Sequence, residues 1–586
     1  MAQILFVVPM TEQSIRQEVN GTLLLATRLL EAGFDTRILR FCQIESHGGD
    51  YGTFIRDIVG QILDQVPRCV SFYGLWPNYH TILRIARELK ARNPRLITVL
   101  GGPQASATAA ATMARMDFVD YICTGEGENT VVPFFTALLR EDGTIPKAIP
   151  GVYYRADGKV CACTADNPLC ELDEEPFWDD RLYRDLYAQP DDRLRSDTYY
   201  MPLDVGRGCP YSCTFCCTSH FWRRTYRMKS PQRILEDMKF YNEKFGIRSF
   251  LFSHDAFTID HQLVSQVCDR ILAEGLDFRW KCTTRVDCIT EELVLKMKQA
   301  GARRIDVGIE TGSPRMQKRI RKNLDLKKAR HMIEFMLRNG LRVSMFFMHG
   351  FPEETEEDLA QTLNFLFDMM DLGVAQTPIS ICCFSPTTAL TEQYLDELVF
   401  DPSMTILFRG FYGDEEDLQM IRENKEIFPM YYDLPRPLRR DYQHLRSIVR
   451  LYEKLRKSMR LLRQLYGRDD LRMCRDFCSC NRHLLTRNAD AADRYVDEEP
   501  LTLVENMLRD FDSLTVRRVL GLMRFELDLE QVRRSPGDLE IRRVYEFNYI
   551  DLTQKRPLDR YSPGSTEILL RSRSGKPELQ VLRFLM

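Results

Sequence analysis

Gly206-Arg-Gly-Cys209-Pro-Tyr-Ser-Cys213-Thr-Phe-Cys216 is the stretch on which the reading of this chain turns. Three thiols, spaced by three and then two residues, can wrap one small inorganic cluster from a single loop. Thiolates are soft ligands that suit iron–sulfur clusters or zinc. Three ligands rather than four is the informative point, because a structural zinc ion wants a fourth Cys or His nearby. Cys217 adjoins Cys216, and adjacent cysteines rarely hold one ion from a short loop; His220 keeps zinc open as an alternative. A cubane held by three cysteines would leave one iron free for another ligand.

Working outward, the loop follows a strand candidate at 202–205 and opens a run of strand–helix alternation. Further strand candidates lie at 249–252, 279–283, 304–308, 342–348 and 377–382. Six such units imply a complete or partial (β/α) barrel, with chemistry at the carboxyl ends of its strands. Upstream, strand candidates at 4–8, 35–41, 69–73, 96–100 and 118–123 alternate with helical patterns such as 21–32 and 79–92. That pattern predicts a doubly wound α/β domain (Rossmann- or flavodoxin-like) with ligands at the strand ends. Glycine-bearing loops fall there, including Gly74-Leu75-Trp76, Gly101-Gly102-Pro103 and Thr124-Gly125-Glu126-Gly127-Glu128. The expected divisions are 1–145, a hairpin and linker over 146–198, a barrel over 199–390, and a mixed, mainly helical region over 391–586.

The triplet, with Cys-Pro-Tyr and Phe-Cys around it, resembles the radical S-adenosylmethionine (SAM) superfamily. Phe252-Ser-His-Asp255-Ala-Phe-Thr258 resembles the family's second-strand motif, with His254 where an aspartate is usual. Lys281-Cys-Thr-Thr-Arg285-Val-Asp287 and Asp306-Val-Gly308-Ile-Glu310-Thr-Gly312-Ser313 resemble its SAM-contacting strand ends, and Phe347-Met-His-Gly350-Phe-Pro352-Glu353-Glu354-Thr355 its sixth-element turn. The resemblance implies a 4Fe-4S cluster on Cys209, Cys213 and Cys216. It also implies SAM contacts at Phe215, Asp255, Arg285, Glu310 and Gly312, and an external one-electron reductant such as flavodoxin or ferredoxin. No residue is singled out as a catalytic acid or base.

A doubly wound domain ahead of such a barrel resembles the cobalamin-binding subclass, carried by Gly101-Gly102-Pro103, Thr124–Glu128, Gly151 and the Leu172-Asp173-Glu-Glu-Pro176 linker. This implies cobalamin contacts at Leu75, Trp76, Gly101, Gly102, Pro103, Gly125, Glu126 and Gly127. The Asp-x-His-x-x-Gly motif that supplies a histidine to cobalt is lacking after the first strand, and Glu45-Ser-His47-Gly-Gly-Asp50 only approaches it, so no protein histidine on cobalt is expected. The implied activity is C-methylation of an unactivated carbon in a natural-product or peptide precursor, through a 5′-deoxyadenosyl radical and methylcobalamin. Cyclisation, ring contraction or oxidation with the same cofactors is the alternative. A methylthiotransferase needs three cysteines of its own in the first domain, where Cys42, Cys69 and Cys123 are spread over different elements, and a cobalamin- or cluster-based sensor is the non-enzymatic reading.

The bulk numbers agree with a multidomain globular enzyme. The chain has 586 residues, 44% hydrophobic and 28% charged, with a net charge of −3, which gives no global pull towards nucleic acid or membrane. No apolar run is long enough to cross a bilayer, and the expected location is the cytoplasm. Residues 436–487 carry fifteen Lys/Arg against five Asp/Glu, including a long helical pattern over 441–466. Such a run reads first as a solvated helix face, with an anionic substrate or acidic peptide as the functional alternative and nucleic acid disfavoured. Cys474, Cys478 and Cys480, with His483 behind them, form a second candidate metal group.

Overall fold

The computed structural model describes residues 3–10, 20–42, 50–139, 149–163, 167–186, 200–402, 404, 413–485, 489–535, 539–545, 547, 564–573 and 576–585. The near-miss segment around His47 lies outside them. Strands β1 (Ile4–Met10), β2 (Thr36–Cys42), β3 (Cys69–Tyr73), β4 (Ile97–Gly101) and β5 (Tyr121–Cys123) pair in parallel in the order β2-β1-β3-β4-β5. Ile4, Phe6 and Val8 enter one apolar core with the helices Asn20–Glu31 and Val131–Leu139. Leu5 and Val7 enter another with Tyr51–Asp64 and Tyr79–Arg92. Residues of alternate parity thus bury both faces, the requirement of a parallel sheet. The hairpin expected within 146–198 is β6 (Val152–Ala156) and β7 (Lys159–Ala162), turning at Asp157-Gly158, and it extends this same sheet antiparallel beyond β5.

The second sheet is a parallel arc, β8 (Met201–Asp204), β11 (Ser249–Ser253), β12 (Arg279–Thr284), β13 (Ala302–Glu310), β14 (Arg342–His349) and β15 (Ile379–Ile381), hydrogen-bonded in that order. Two short strands, β9 (Gly206–Arg207) and β10 (Arg227–Met228), pair antiparallel above β8. Its helices start on capping side chains: Ser230, Asp260, Thr290, Asp325 and Thr355 each accept a backbone N–H of the first turn. Phe250, Phe252, Trp280, Cys282, Ile305, Val307, Val343 and Met345 pack outward into the helical layer. Their alternates Leu251, Ser253, Lys281 and Thr283 stay partly exposed. A closed (β/α)₈ barrel fills its interior with side chains; this arc leaves its inner face accessible.

Beyond it, β16 (Val399–Phe400) and β17 (Tyr432–Asp433) make a small pair, and six helices from Leu445–Lys454 to Ser513–Arg534 lead to an antiparallel sheet of β18 (Glu540–Tyr545), β19 (Ser565–Arg573) and β20 (Lys576–Leu585). The single helical pattern over 441–466 breaks at Leu455, whose φ of −123° and ψ of 54° separate Leu445–Lys454 from Arg456–Leu465. The basic run is a solvated face only in part: Arg440, Lys457, Arg468, Arg472 and Arg482 are exposed, while others are engaged by carboxylates and carbonyls. Arg463 pairs with Asp368, Asp371 and Asp470 at 2.7–2.9 Å, Arg460 with Asp371 at 3.0 Å and Arg446 with Asp493 at 3.0 Å, while Arg456 donates to the carbonyls of Val374 and Ala375. Its charge seats these helices on the helix Glu356–Leu372 and on each other. Among the described residues, no helix is long and apolar enough to cross a membrane.

Candidate functional site

The cysteine loop leaves β9 at the carboxyl end of the barrel arc and is fixed by backbone contacts on every side. Gly208 N donates to Asp255 Oδ2 at 3.1 Å, Thr214 N to Ile320 O at 3.0 Å, and Leu390 N to Thr214 O at 2.9 Å. Gly208 has φ of 90°, and a Cβ there would stand 2.2 Å from Thr225 O, so no other residue fits. Cys209, Cys213 and Cys216 remain half-buried thiols. Among the described residues the set of three ligand atoms mutually within 4.8 Å is Glu126, Glu128 and Cys170, so the triplet is splayed wider than one ion requires. That spread suits a multi-iron cluster better than mononuclear zinc.

Cations flank the thiols. Arg285 lies with its guanidinium 3.8 Å over the Tyr211 ring and one nitrogen 3.9 Å from Cys213 Sγ. Its other nitrogens bind Asp287 and the Lys322 carbonyl. Burial pushes the Cys213 thiol up, and Lys322 and Arg285 pull the other way. Burial also raises Cys209 to about 11 and Asp255 to about 6. Glu310, in the left-handed region at φ 68°, pairs with Lys322 at 2.8 Å. Phe215 packs edge-on against Phe351 at 6.0 Å. The structure therefore brings Phe215, Asp255, Arg285 and Glu310 around the triplet. Gly312 is different: a Cβ there would meet Gln361 O at 2.6 Å, and its N–H donates to Thr362 Oγ1. It is required for helix packing beneath the site. His254 is also structural, with Nδ1 accepting from Ala256 N at 2.9 Å, Nε2 on Arg227 O at 3.3 Å, and burial holding it to about 4.

A cavity of about 700 Å³ lies between the first sheet and this loop, walled by Trp76, Pro103, Gly125 and Asn167 on one side and by Cys217 and His220 on the other. Gly102, at φ 92°, keeps the wall thin, since a Cβ would stand 2.9 Å from Gly74 O. Asn167 donates to the Thr124 and Glu126 carbonyls, and among the described residues nothing donates to its buried Oδ1. An orphaned acceptor and a glycine-rich rim fit a large flat ligand edged with amides, as cobalamin is. Of the residues expected at cobalamin, Trp76, Pro103 and Gly125 line the cavity. Leu75, Gly101 and Gly102 stand behind them, and Gly127 lies under the Leu25 side chain.

Glu126 takes another part, which the sequence reading did not assign. Arg207, 6% exposed, sits among Glu128 at 2.7 Å, Glu175 at 2.5 Å, Asp204 at 3.2 Å and Cys170 Sγ at 3.4 Å. Arg227 binds Glu126, and Lys229 joins Glu175 to Asp237 at 2.9 Å each. The ligand-like trio Glu126, Glu128 and Cys170 thus already holds a guanidinium. This desolvated network ties the first sheet and the 172–176 linker to the residue two before Cys209. Cys474 and Cys478 are buried on one face of the helix Asp470–Leu485, and Cys480 lies partly exposed on another, so the second cysteine group does not converge.

Residues 203–366 match the Radical SAM superfamily, and residues 18–134 match the B12 binding domain. An uncharacterized methyltransferase of Pyrococcus horikoshii is 28% identical over 77% of this chain and 98% of its own length. The anaerobic magnesium-protoporphyrin IX monomethyl ester cyclase of Rubrivivax gelatinosus is 26% identical over 53% of this chain and 55% of its own. Among solved structures, the cobalamin-dependent SAM radical enzyme OxsB, with aqua-cobalamin and SAM bound, superposes with a TM-score of 0.55 at 16% identity, covering 90% of this chain and 79% of that one. The chain thus joins a B12-binding domain, behind the glycine rim, to a radical SAM domain, behind the cysteine triplet.

Proposed function

We propose that this enzyme transfers a methyl group to an unactivated carbon of a small-molecule or peptide precursor. The observation that carries the reading is the shared cavity: residues just after the cluster cysteines, Cys217 and His220, form one wall, and the strand-end loops of the B12-binding domain form the other. The match to a protein named as a methyltransferase, over 77% of this chain and 98% of that protein, supports methyl transfer over cyclisation, whose first named relative matches 53% of the chain. When bound, the cluster and SAM supply a radical able to open a C–H bond, and cobalamin supplies a transferable methyl group.

The chain's own residues prepare that chemistry. Cys209, Cys213 and Cys216 would hold the cluster, with Arg285 and Lys322 favouring thiolate at Cys213. Asp255 fixes the loop through Gly208 N, and Trp76, Pro103 and Gly125 would face the corrin. Arg207 and its carboxylates hold the two walls at fixed separation, which matters because radical and methyl transfer both depend on close positioning.

The test is anaerobic reconstitution with iron, sulfide, hydroxocobalamin and methyl-labelled SAM under reductant. Retained cobalamin with both 5′-deoxyadenosine and S-adenosylhomocysteine, and label in the product, is the expected result. Deoxyadenosine with an unlabelled product would move the enzyme to the cyclising or oxidising class. Failure to retain cobalamin would overturn the assignment of the first cavity wall.

A further inference from the structure

We infer that the inner face of the barrel arc binds an organic anion, carboxylate or phosphate, held at its charged end by Lys281, Arg304 and Arg342. The inference rests on the radical SAM reading, since the body of that anion would extend towards the cysteine loop.

Lys281 is the register partner of Arg304, and Arg304 of Arg342, so three cations stand side by side on adjacent strands. Their neighbours Trp280, Ile305 and Val343 are packed outward in the core, which turns the three cations to the inner face. Like charges directly opposite one another on a sheet are destabilising. One carboxylate answers them: Asp306 accepts from Arg304 Nε at 2.5 Å. Lys281 is half-buried with its ammonium 5.1 Å over the Tyr200 ring, and Asp306, already held by Arg304, is the carboxylate that acts on it. Burial, with Arg304 and Arg342 adding repulsion, lowers its pKa. Facing charges elsewhere on the arc are already engaged: Asp204 on β8 binds Arg207, and Glu310 on β13 binds Lys322.

Two residues further along the same face, Ser344 stands in register with Asp306. It is 0% exposed, and among the described residues its hydroxyl has no partner. A buried orphan hydroxyl costs stability unless something bonds it, and here it borders the cationic row. Thr283 shares the row of Ser344 and Asp306, and beyond it the inner face turns apolar at Phe346, which is 37% exposed. From the row of Lys281 to that of Phe346 the strands advance four residues, about 13 Å. The Glu310 turn and the cysteine loop lie past that point. The ligand this gradient fits has one anionic end and a neutral, partly apolar body about 13 Å long, with its distal carbon delivered to the barrel mouth.

The experiment is isothermal titration of the holoprotein, carrying cluster and cobalamin, with octanoate, octyl phosphate and octan-1-ol. At least one anion should bind tenfold or more tightly than the alcohol, and which one binds distinguishes carboxylate from phosphate. Lys281→Met should weaken that binding at least tenfold, and Lys281→Arg should restore it, at unchanged iron and cobalamin content. If Lys281→Met fails to fold, Arg342→Gln should weaken binding in the same direction. Octan-1-ol binding as tightly as both anions, absence of anion binding, or full anion affinity in the folded Lys281→Met protein would overturn the assignment. Methyl-transfer assays stand apart from this readout: anion binding without methyl transfer would sink the methyltransferase reading and leave the anion site intact.

Discussion

Two groups of three cysteines in this chain have opposite fates. Cys209, Cys213 and Cys216 ride a loop at a strand end, half-buried, with Arg285 and Lys322 beside them. Cys474, Cys478 and Cys480 ride a helix, where each residue turns about 100° from the last. Cys474 and Cys478, four apart, share the buried face, and Cys480 is carried about 200° away from Cys478. In the second group burial in the core raises Cys478 to about 12, outweighing the pull of Arg482. Spacing in sequence becomes a ligand set only when the backbone is free to curl around its ligand. A helix holds neighbouring thiols apart however suggestive their spacing looks.

That contrast can be broken by substitution. Cys213→Ala should abolish both cluster absorbance and deoxyadenosine formation, measured after reconstitution; retained SAM cleavage would place the cluster elsewhere, with Cys474 and Cys478 the first suspects. Arg207→Met should come next. It strands Glu128 and Glu175 in a desolvated seam, and removing one partner of a buried ion pair costs about 3–5 kcal/mol. The melting temperature should fall steeply, and the double change Arg207→Met with Glu128→Gln should recover part of the loss. Cys474→Ala should cost roughly 1–2 kcal/mol as a core truncation, with iron content unchanged. Smallest of all, Cys480→Ser should alter stability by less than about 0.5 kcal/mol and leave iron untouched. A drop in bound iron in either of the last two would restore the second group as a metal site.

The strands of both sheets were legible because alternation and punctuation are local: β3 lies at 69–73 as its apolar run predicts, and the six barrel strands fall within a few residues of expectation. The cysteine triplet stood out for the same reason, since one loop holds all three. What escaped is what distance in sequence hides. Glu126, Cys170, Glu175, Arg207 and Lys229 meet across about a hundred residues, and nothing local in any of them signals the others. The engaged part of the basic run was hidden in the same way, because the Arg463 partners Asp368 and Asp371 lie on a helix some ninety residues earlier. β18 was missed because Glu540-Ile-Arg-Arg-Val-Tyr545 is largely exposed and charged, and it becomes a strand only by pairing with β19.

The hairpin of β6 and β7 and the helix Asp180–Leu186 also bear on how the protein behaves at high concentration. A parallel sheet offers two raw borders whose unpaired amides invite another chain. Here the helix lies along β2, with Arg37 clasping Asp185 at 2.7 Å and Arg40 reaching the Leu186 carbonyl at 2.7 Å. The opposite border is moved outward to β7, a four-residue strand that begins with an exposed lysine, Lys159. The connector between the two cofactor domains thereby also serves as a guard against strand-to-strand aggregation. Cutting or loosening it should show first as turbidity in light scattering, before any loss of cluster colour.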